Sequence, residues 1–195
     1  MTTRHAHTVR TSGTASSGLD SADVLVWWWP IRDGRASASD LALLDTEELS
    51  RAHAFTSTSR AAEFISSRAT IRRIMSDYLR IPARDISLGR APCGGCGDIG
   101  HGPPAIVRPA ISPRISFSHT KGLGMLAVSA HPVGIDAEPV REIPVAEVAG
   151  VALTPRERGA VLAEPAGAAR SRAFLRCWTR KEAVLKAAGV GITDE

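Results

Sequence analysis

Trp178-Thr179-Arg180-Lys181-Glu182-Ala183-Val184-Leu185-Lys186 is the stretch that decides how this chain is read. At helical spacing, Trp178, Glu182 and Lys186 fall at i, i+4 and i+8 and stack along one face. Glu182 lands inside the apolar stripe, between Trp178 and Leu175 and near Phe174 and Leu185. A carboxylate aimed at the core side of a helix needs a partner, a metal or a chemical task. Lysine usage points to the same place. The chain has 21 arginines but only three lysines, Lys121, Lys181 and Lys186, and two of them flank Glu182. Arginine keeps its proton, whereas lysine can release one at accessible pH.

Working outward, the helix that carries this face is expected from about Ala169 to Ala188, with Gly189 placed to cap it. Thr154-Pro155-Arg156-Glu157 reads as another helix start, with Thr at the N-cap, Pro at N1 and Glu at N3. Val133–Glu138 reads as a strand after the break at His131-Pro132. Ile115–Thr120 and Met125–Ala130 read as two more strands, turned by Lys121-Gly122-Leu123-Gly124. Gly89–Pro109 is rich in Gly and Pro and is expected to be mostly loop. Ser59–Leu79 has the 3.6 period of a helix, ended by Pro82, and Asp40–Phe55 is helical with a break signalled by Asp45 and Glu48. Val24–Trp29 is a strand stopped by Pro30. Strands alternating with helices predict an α/β or α+β fold.

At 195 residues the chain is long enough for one core, or for two small subdomains that share one. Residues 1–22, rich in Ser, Thr, Gly and His, are expected to be a disordered tail with no secretory signal. No apolar run is long enough to cross a membrane, and a cytoplasmic location is expected. The net charge is +4, and all of it lies in residues 1–131. That half suits an anionic partner. With 5% aromatic residues and no nucleic-acid signature, nucleic acid is not the expected one. The three cysteines make no disulfide framework. Cys93-Gly94-Gly95-Cys96-Gly97 with His101 supplies half of a zinc knuckle, and a reduced Gly-rich loop is the expected reading because a closed zinc site takes four ligands.

Two segments carry further chemistry. In Gly134-Ile135-Asp136-Ala137-Glu138, strand alternation puts Asp136 and Glu138 on one face. Adjacent carboxylates repel unless a cation lies between them, and such oxygen ligands suit magnesium. Glu182 would add a third carboxylate. In Ser116-Phe117-Ser118-His119, hydroxyl, imidazole and turn amides have the makings of a phosphate site. A Ser-His nucleophilic pair is not expected, because neighbours on a strand face opposite ways. Arg68 and Arg72, one helical turn apart, could clamp a phosphate or simply be solvated.

In this order, SFSH, GIDAE and WTRKEAVLK followed by Gly189-Val190-Gly191 resemble the 4'-phosphopantetheinyl transferase superfamily of the surfactin-synthetase-activating (Sfp) type. The CxxCG…HG loop is similar to that of actinobacterial members. The resemblance runs from about Trp27 to the end and is most specific from Ile115 onward. It implies transfer of the phosphopantetheine arm of coenzyme A to a serine of an apo acyl or peptidyl carrier protein, with release of adenosine 3',5'-bisphosphate. It implies Mg2+ held by Asp136, Glu138 and Glu182. Glu182 would also act as base, and Lys186 would stabilise the departing phosphate. Ser118, His119, Arg72 and, less directly, Arg68 would contact coenzyme A, and Trp178 would position the helix. The implied fold is two pseudo-symmetric α/β subdomains, here 23–131 and 132–195, each opening with a strand and enclosing coenzyme A between them. A monomer is expected. The resemblance does not choose among fatty acid, polyketide, nonribosomal peptide and siderophore pathways.

Three departures stand out. Gly102-Pro103-Pro104 lacks the cation that relatives carry in Gly-Lys-Pro or Gly-Arg-Pro, and Ser116 replaces a usual Asn. Relatives also continue for several strands beyond Gly191, so the second subdomain is expected to be incomplete, in a fragment or in a protein of lower stability. A non-catalytic coenzyme A or carrier-protein binding remnant of the same fold is the alternative expectation.

Overall fold

The computed structural model describes residues 5–9, 23–31, 36–110 and 113–190. Its first half is built on an antiparallel sheet in the order β1-β2-β6-β5. These strands are β1 (His5–Val9), β2 (Val24–Pro30), β5 (Arg114–Thr120) and β6 (Leu123–Ser129). The β-branched and aromatic run of β2 suits a half-buried pleated surface, and it pairs along its whole length with β6. Thr120 faces Leu123 across the β5–β6 hairpin. The loop is therefore the two residues Lys121-Gly122, and Gly122 supplies the positive φ of 80° that a tight hairpin turn favours. Within the segment expected to be a disordered tail, β1 pairs with β2 from His5↔Trp28 to Val9↔Val24. The free edge of β2 offers backbone groups that even a polar segment can bond. The other residues of that segment lie outside the described residues.

Helix α1 (Ala38–Leu41) is separated from α2 (Thr46–His53) at Asp45. Asp45 caps α2 in a reciprocal capping box with Glu48. The spine of this half is α3 (Thr58–Leu79), which opens on Ser57 and closes on Arg80 in the left-handed conformation. One side of α3 puts Ile71, Ile74 and Met75 into the core beneath the sheet, against Trp29, Ile115, Leu126 and Val128. Nearer its N-terminus, α3 packs Phe64, Ile65 and Ala69 against Leu44 and Ala52. The Gly/Pro-rich excursion is less irregular than its composition suggests. It carries part of β3 (Ser87–Arg90) and all of β4 (Pro104–Arg108), which pair with each other.

The second half contributes α4 (Val145–Ala152), α5 (Pro155–Ala163) and α6 (Ala168–Ala188). Their apolar faces form a separate cluster of Val145, Ala149, Leu153, Val161, Phe174 and Leu175. Thr154, Pro155 and Glu157 start α5 with a capping box, and Gly189 closes α6 at φ 71°. Val133–Glu138 is not a ladder strand. Its amides find other partners: Ile135 N donates to Ser116 Oγ at 3.2 Å and Ala137 N to Ser118 Oγ at 3.3 Å. Strand alternation did not signal that serine hydroxyls of β5 would take the place of a neighbouring strand. No helix among the described residues is long and apolar enough to cross a membrane.

Candidate active site

The segment 133–138 is clamped between β5 and α6, and the clamp begins at Gly134. A Cβ there would collide with the Ala183 carbonyl oxygen and come within 2.7 Å of Ala187 N. Only glycine permits so close a crossing of the helix backbone. From α6, Lys186 Nζ donates to Asp136 Oδ1 at 2.7 Å and to Ile135 O at 3.2 Å. From β5, Ser118 Oγ donates to the same Asp136 oxygen at 3.0 Å while it accepts from Ala137 N. Ser118 is buried, and its hydroxyl is engaged with Asp136 and the Ala137 amide. Ser116, the other serine on that face, does the same for Ile135.

Glu182 sits one turn before Lys186 on α6. Its carboxyl is held above the usual carboxylate range by burial first and then by the charge of Asp136, with Lys186 opposing and Glu138 adding a smaller push. Two carboxylate oxygens, Asp136 Oδ2 and Glu182 Oε1, are buried without a hydrogen-bond partner among the described residues. Buried charged oxygens left bare are costly, and two of them on separate elements, near enough for Asp136 to raise the Glu182 pKa, suit a cation. An all-oxygen donor pair of this kind fits magnesium. Glu138 is placed differently: its Oε2 lies 2.8 Å from Arg141 Nη1. Of the three acids expected to gather, Asp136 and Glu138 both push on Glu182 electrostatically, Glu138 is also bonded to an arginine three residues on, and the three do not form a ligand cluster among the described residues. Lys181, the other lysine flanking Glu182, is also directed elsewhere, with Nζ 2.8 Å from Glu157 Oε2 on α5. Trp178 stacks on Phe174 with ring centroids 6.3 Å apart and anchors α6 to the helical cluster.

Lys186 also borders a cavity of about 290 Å3 between the two halves. Its walls come from α3 (Phe64, Ser67, Arg68, Ile71), β5 (Ser116, Phe117, His119), the Gly102–Pro104 loop, and Gly189 and Val190 after α6, with Arg51 and Arg90 completing the rim. Arg68 lies between aromatic faces, its guanidinium 5.3 Å from the Phe64 centroid and 5.0 Å from that of Phe117. Its Nε is 3.6 Å from Glu48 Oε1. His119 keeps much of its side chain open to solvent, yet the crowding of its ring by the cavity wall holds its pKa below 6.5. Glu63 opposes that shift, and Arg68, Lys186 and Arg51 reinforce it. Three arginines, a lysine and two histidines (His101 and His119) on one cavity suit a ligand with several phosphates.

Arg72 is not among them. It is 2% exposed, and its guanidinium is used up inside the protein. Nη2 and Nη1 grip the two Glu48 oxygens at 2.7 and 3.0 Å, and Nε donates to Ile86 O at 2.9 Å. Of the two arginines one turn apart, Arg68 faces the cavity and Arg72 holds α3 to α2 and to the start of β3. Arg51 and Arg90 were not singled out from the sequence, because the wall they share is assembled from elements distant along the chain. Arg90 Nη1 donates to Gly102 O at 2.7 Å. It brings a cation to the loop that carries none of its own.

Residues 132–195 match the family model described as the 4'-phosphopantetheinyl transferase superfamily. The chain is also 28% identical over 186 residues to the 4'-phosphopantetheinyl transferase HetI of Nostoc sp. (strain PCC 7120), an alignment that spans 89% of this chain and 72% of HetI. The matched segment holds Asp136, Glu182 and Lys186, and by both comparisons this chain is similar to a 4'-phosphopantetheinyl transferase.

Proposed function

We propose that this chain is a phosphopantetheinyl transferase that takes coenzyme A into the arginine-lined cavity and passes its phosphopantetheine arm to the serine hydroxyl of an apo carrier protein, releasing adenosine 3',5'-bisphosphate. The observation that carries the reading is the bare carboxylate pair, Asp136 and Glu182, joined through Lys186 to the rim of a cationic cavity. Similarity to the superfamily and to HetI supports it.

Arg51, Arg68, Arg90 and His119 bind and orient the phosphates. A magnesium ion held by Asp136 and Glu182, with Glu138 in reach of the same region, would neutralise charge on the diphosphate. Glu182 accepts the proton of the carrier serine, a role for which a raised pKa is suited. Lys186 offsets the charge that develops on the leaving phosphate. Ser116 and Ser118 keep the segment bearing Asp136 in place. Trp178 fixes the helix that carries both Glu182 and Lys186. The protein works in the cytoplasm as a monomer on an apo acyl or peptidyl carrier protein.

The test is the intact mass of an apo carrier protein incubated with this chain, coenzyme A and magnesium. Addition of one phosphopantetheine, lost with Glu182→Gln, is the expected result. Coenzyme A binding without a mass gain would instead identify a non-catalytic remnant of the fold.

A further inference from the structure

The loop between β3 and β4 holds a second constellation, away from the carboxylate pair. The ligand atoms of Cys93, Cys96 and His101 all lie within 4.8 Å of one another. Cys96 Sγ and His101 Nε2 are 3.1 Å apart. The loop is folded around them by its own backbone: Cys93 N donates to Asp98 O, and Gly97 N to Cys93 O, each at 2.9 Å. Gly97 turns the chain at φ 78°. The other ring nitrogen of His101, Nδ1, faces Asp98 Oδ2 at 3.6 Å, and Gly100 N fixes that carboxylate by donating to Asp98 Oδ1 at 2.7 Å. A carboxylate behind the free nitrogen of a ligating histidine is the usual means of setting its tautomer.

The geometry points to a zinc site formed by Cys93, Cys96 and His101 with water in the fourth position, oriented by Asp98. Two thiolates and an imidazole select zinc over magnesium, so this ion is distinct from the one proposed between Asp136 and Glu182. Its place in the fold gives it a task. The loop continues into Gly102-Pro103-Pro104, which walls the cavity. Cys93 Sγ lies 3.7 Å from Gly189 O, and Gly94 rests against Ala188 O. Zinc there would order a loop that both walls the cavity and abuts the end of the helix that carries Glu182 and Lys186.

The experiment is metal analysis of the purified full chain after dialysis against a mild chelator, with zinc as the probe. About one zinc per chain is expected. Cys96→Ser and His101→Ala reduce it to background, Asp98→Ala weakens zinc binding by about 10- to 100-fold, and Cys177→Ser leaves it unchanged. Circular dichroism establishes that each variant is folded. Cobalt substituted into the wild type gives thiolate-to-metal charge-transfer absorption that Cys96→Ser abolishes. Absence of retained zinc in the wild type, unchanged zinc in folded Cys96→Ser, or a Cys93–Cys96 disulfide in freshly isolated chain overturns the proposal. None of these readouts depends on transferase activity, so the zinc site and the proposed reaction fail separately.

Discussion

Lys186 Nζ stands 2.7 Å from Asp136 Oδ1, a contact that joins residues 50 positions apart and holds an extended segment onto α6. Asp136 keeps only 8% of its side chain exposed, so this ammonium is what makes its burial tolerable. Lys186→Met leaves that carboxylate with Ser118 alone. The loss of one partner of a buried charge costs about 1–3 kcal/mol, or roughly 2–10 °C of melting temperature for a chain of this size. Turnover falls further than stability does, by about 100- to 1000-fold in kcat, because the group also faces developing charge. Adding Asp136→Asn restores much of the melting temperature but none of the turnover. Unchanged kcat in Lys186→Met would remove the lysine from the chemistry.

Arg68 and Arg72 separate by the measurement they move. Arg72→Ala leaves Glu48, itself 6% exposed, with only the Asp45 amide and the more distant Arg68. Breaking such a pair costs about 3–5 kcal/mol, and the melting temperature drops by roughly 6–20 °C. Arg68→Ala lies at the cavity and raises KM for coenzyme A about 10-fold, the scale of one charge-assisted phosphate contact, with a smaller change in melting. The reverse pattern, in melts and steady-state kinetics run side by side, would assign the cavity to Arg72.

That distinction illustrates what could be read in advance and what could not. Asp45, Thr154 and Gly189 announced their helix boundaries because a cap is satisfied within four residues of chain. The face shared by Trp178, Glu182 and Lys186 was legible for the same reason. The grip of Arg72 on Glu48 spans 24 residues and depends on how α2 lies along α3, which no local spacing encodes. Segment 133–138 has the alternation of a strand, yet its amides pair with Ser116 and Ser118, and hydroxyl partners leave no periodic signal. The cysteine loop displayed its ligand types but not the turn that brings them within reach of each other. Magnesium-type and zinc-type ligands could be told apart by chemistry alone, whereas the displacement of Glu138 toward Arg141 could not.

Gly134 provides a test of the clamp itself. Gly134→Ala drives a methyl group into the backbone of α6 at Ala183 and Ala187. Neither neighbour is a flexible side chain, so the segment must lift away and carry Asp136 with it. An overpacking cost of about 1–3 kcal/mol is expected, and the melting temperature falls by roughly 2–10 °C. Carrier-protein modification is lost almost completely, and the rise in melting temperature on adding magnesium disappears. Retention of that magnesium-dependent rise would show that Asp136 is not needed for the ion.

Glu157 gives the fold a defined acid response. Its carboxyl is held down at about 2 by a hydrogen bond from Lys181, then by the Thr154 amide and the Thr154 hydroxyl. The unfolded chain binds the proton near 4.5, so the folded state prefers the ionised form. The stabilisation is therefore fully present above pH 4.5 and is lost as pH falls from 4.5 toward 2. Glu157→Gln is the suitable comparison, because glutamine at N3 still completes a capping box and only the charge is removed. Melting temperatures of wild type and Glu157→Gln differ by a constant amount above pH 4.5, and the two curves converge as pH approaches 2. In a Lys181→Met background, which deletes the largest contributor, the onset stays near pH 4.5 and convergence is complete at a higher pH. A difference that stayed constant down to pH 2 would mean that α5 gains nothing from the ionised carboxylate.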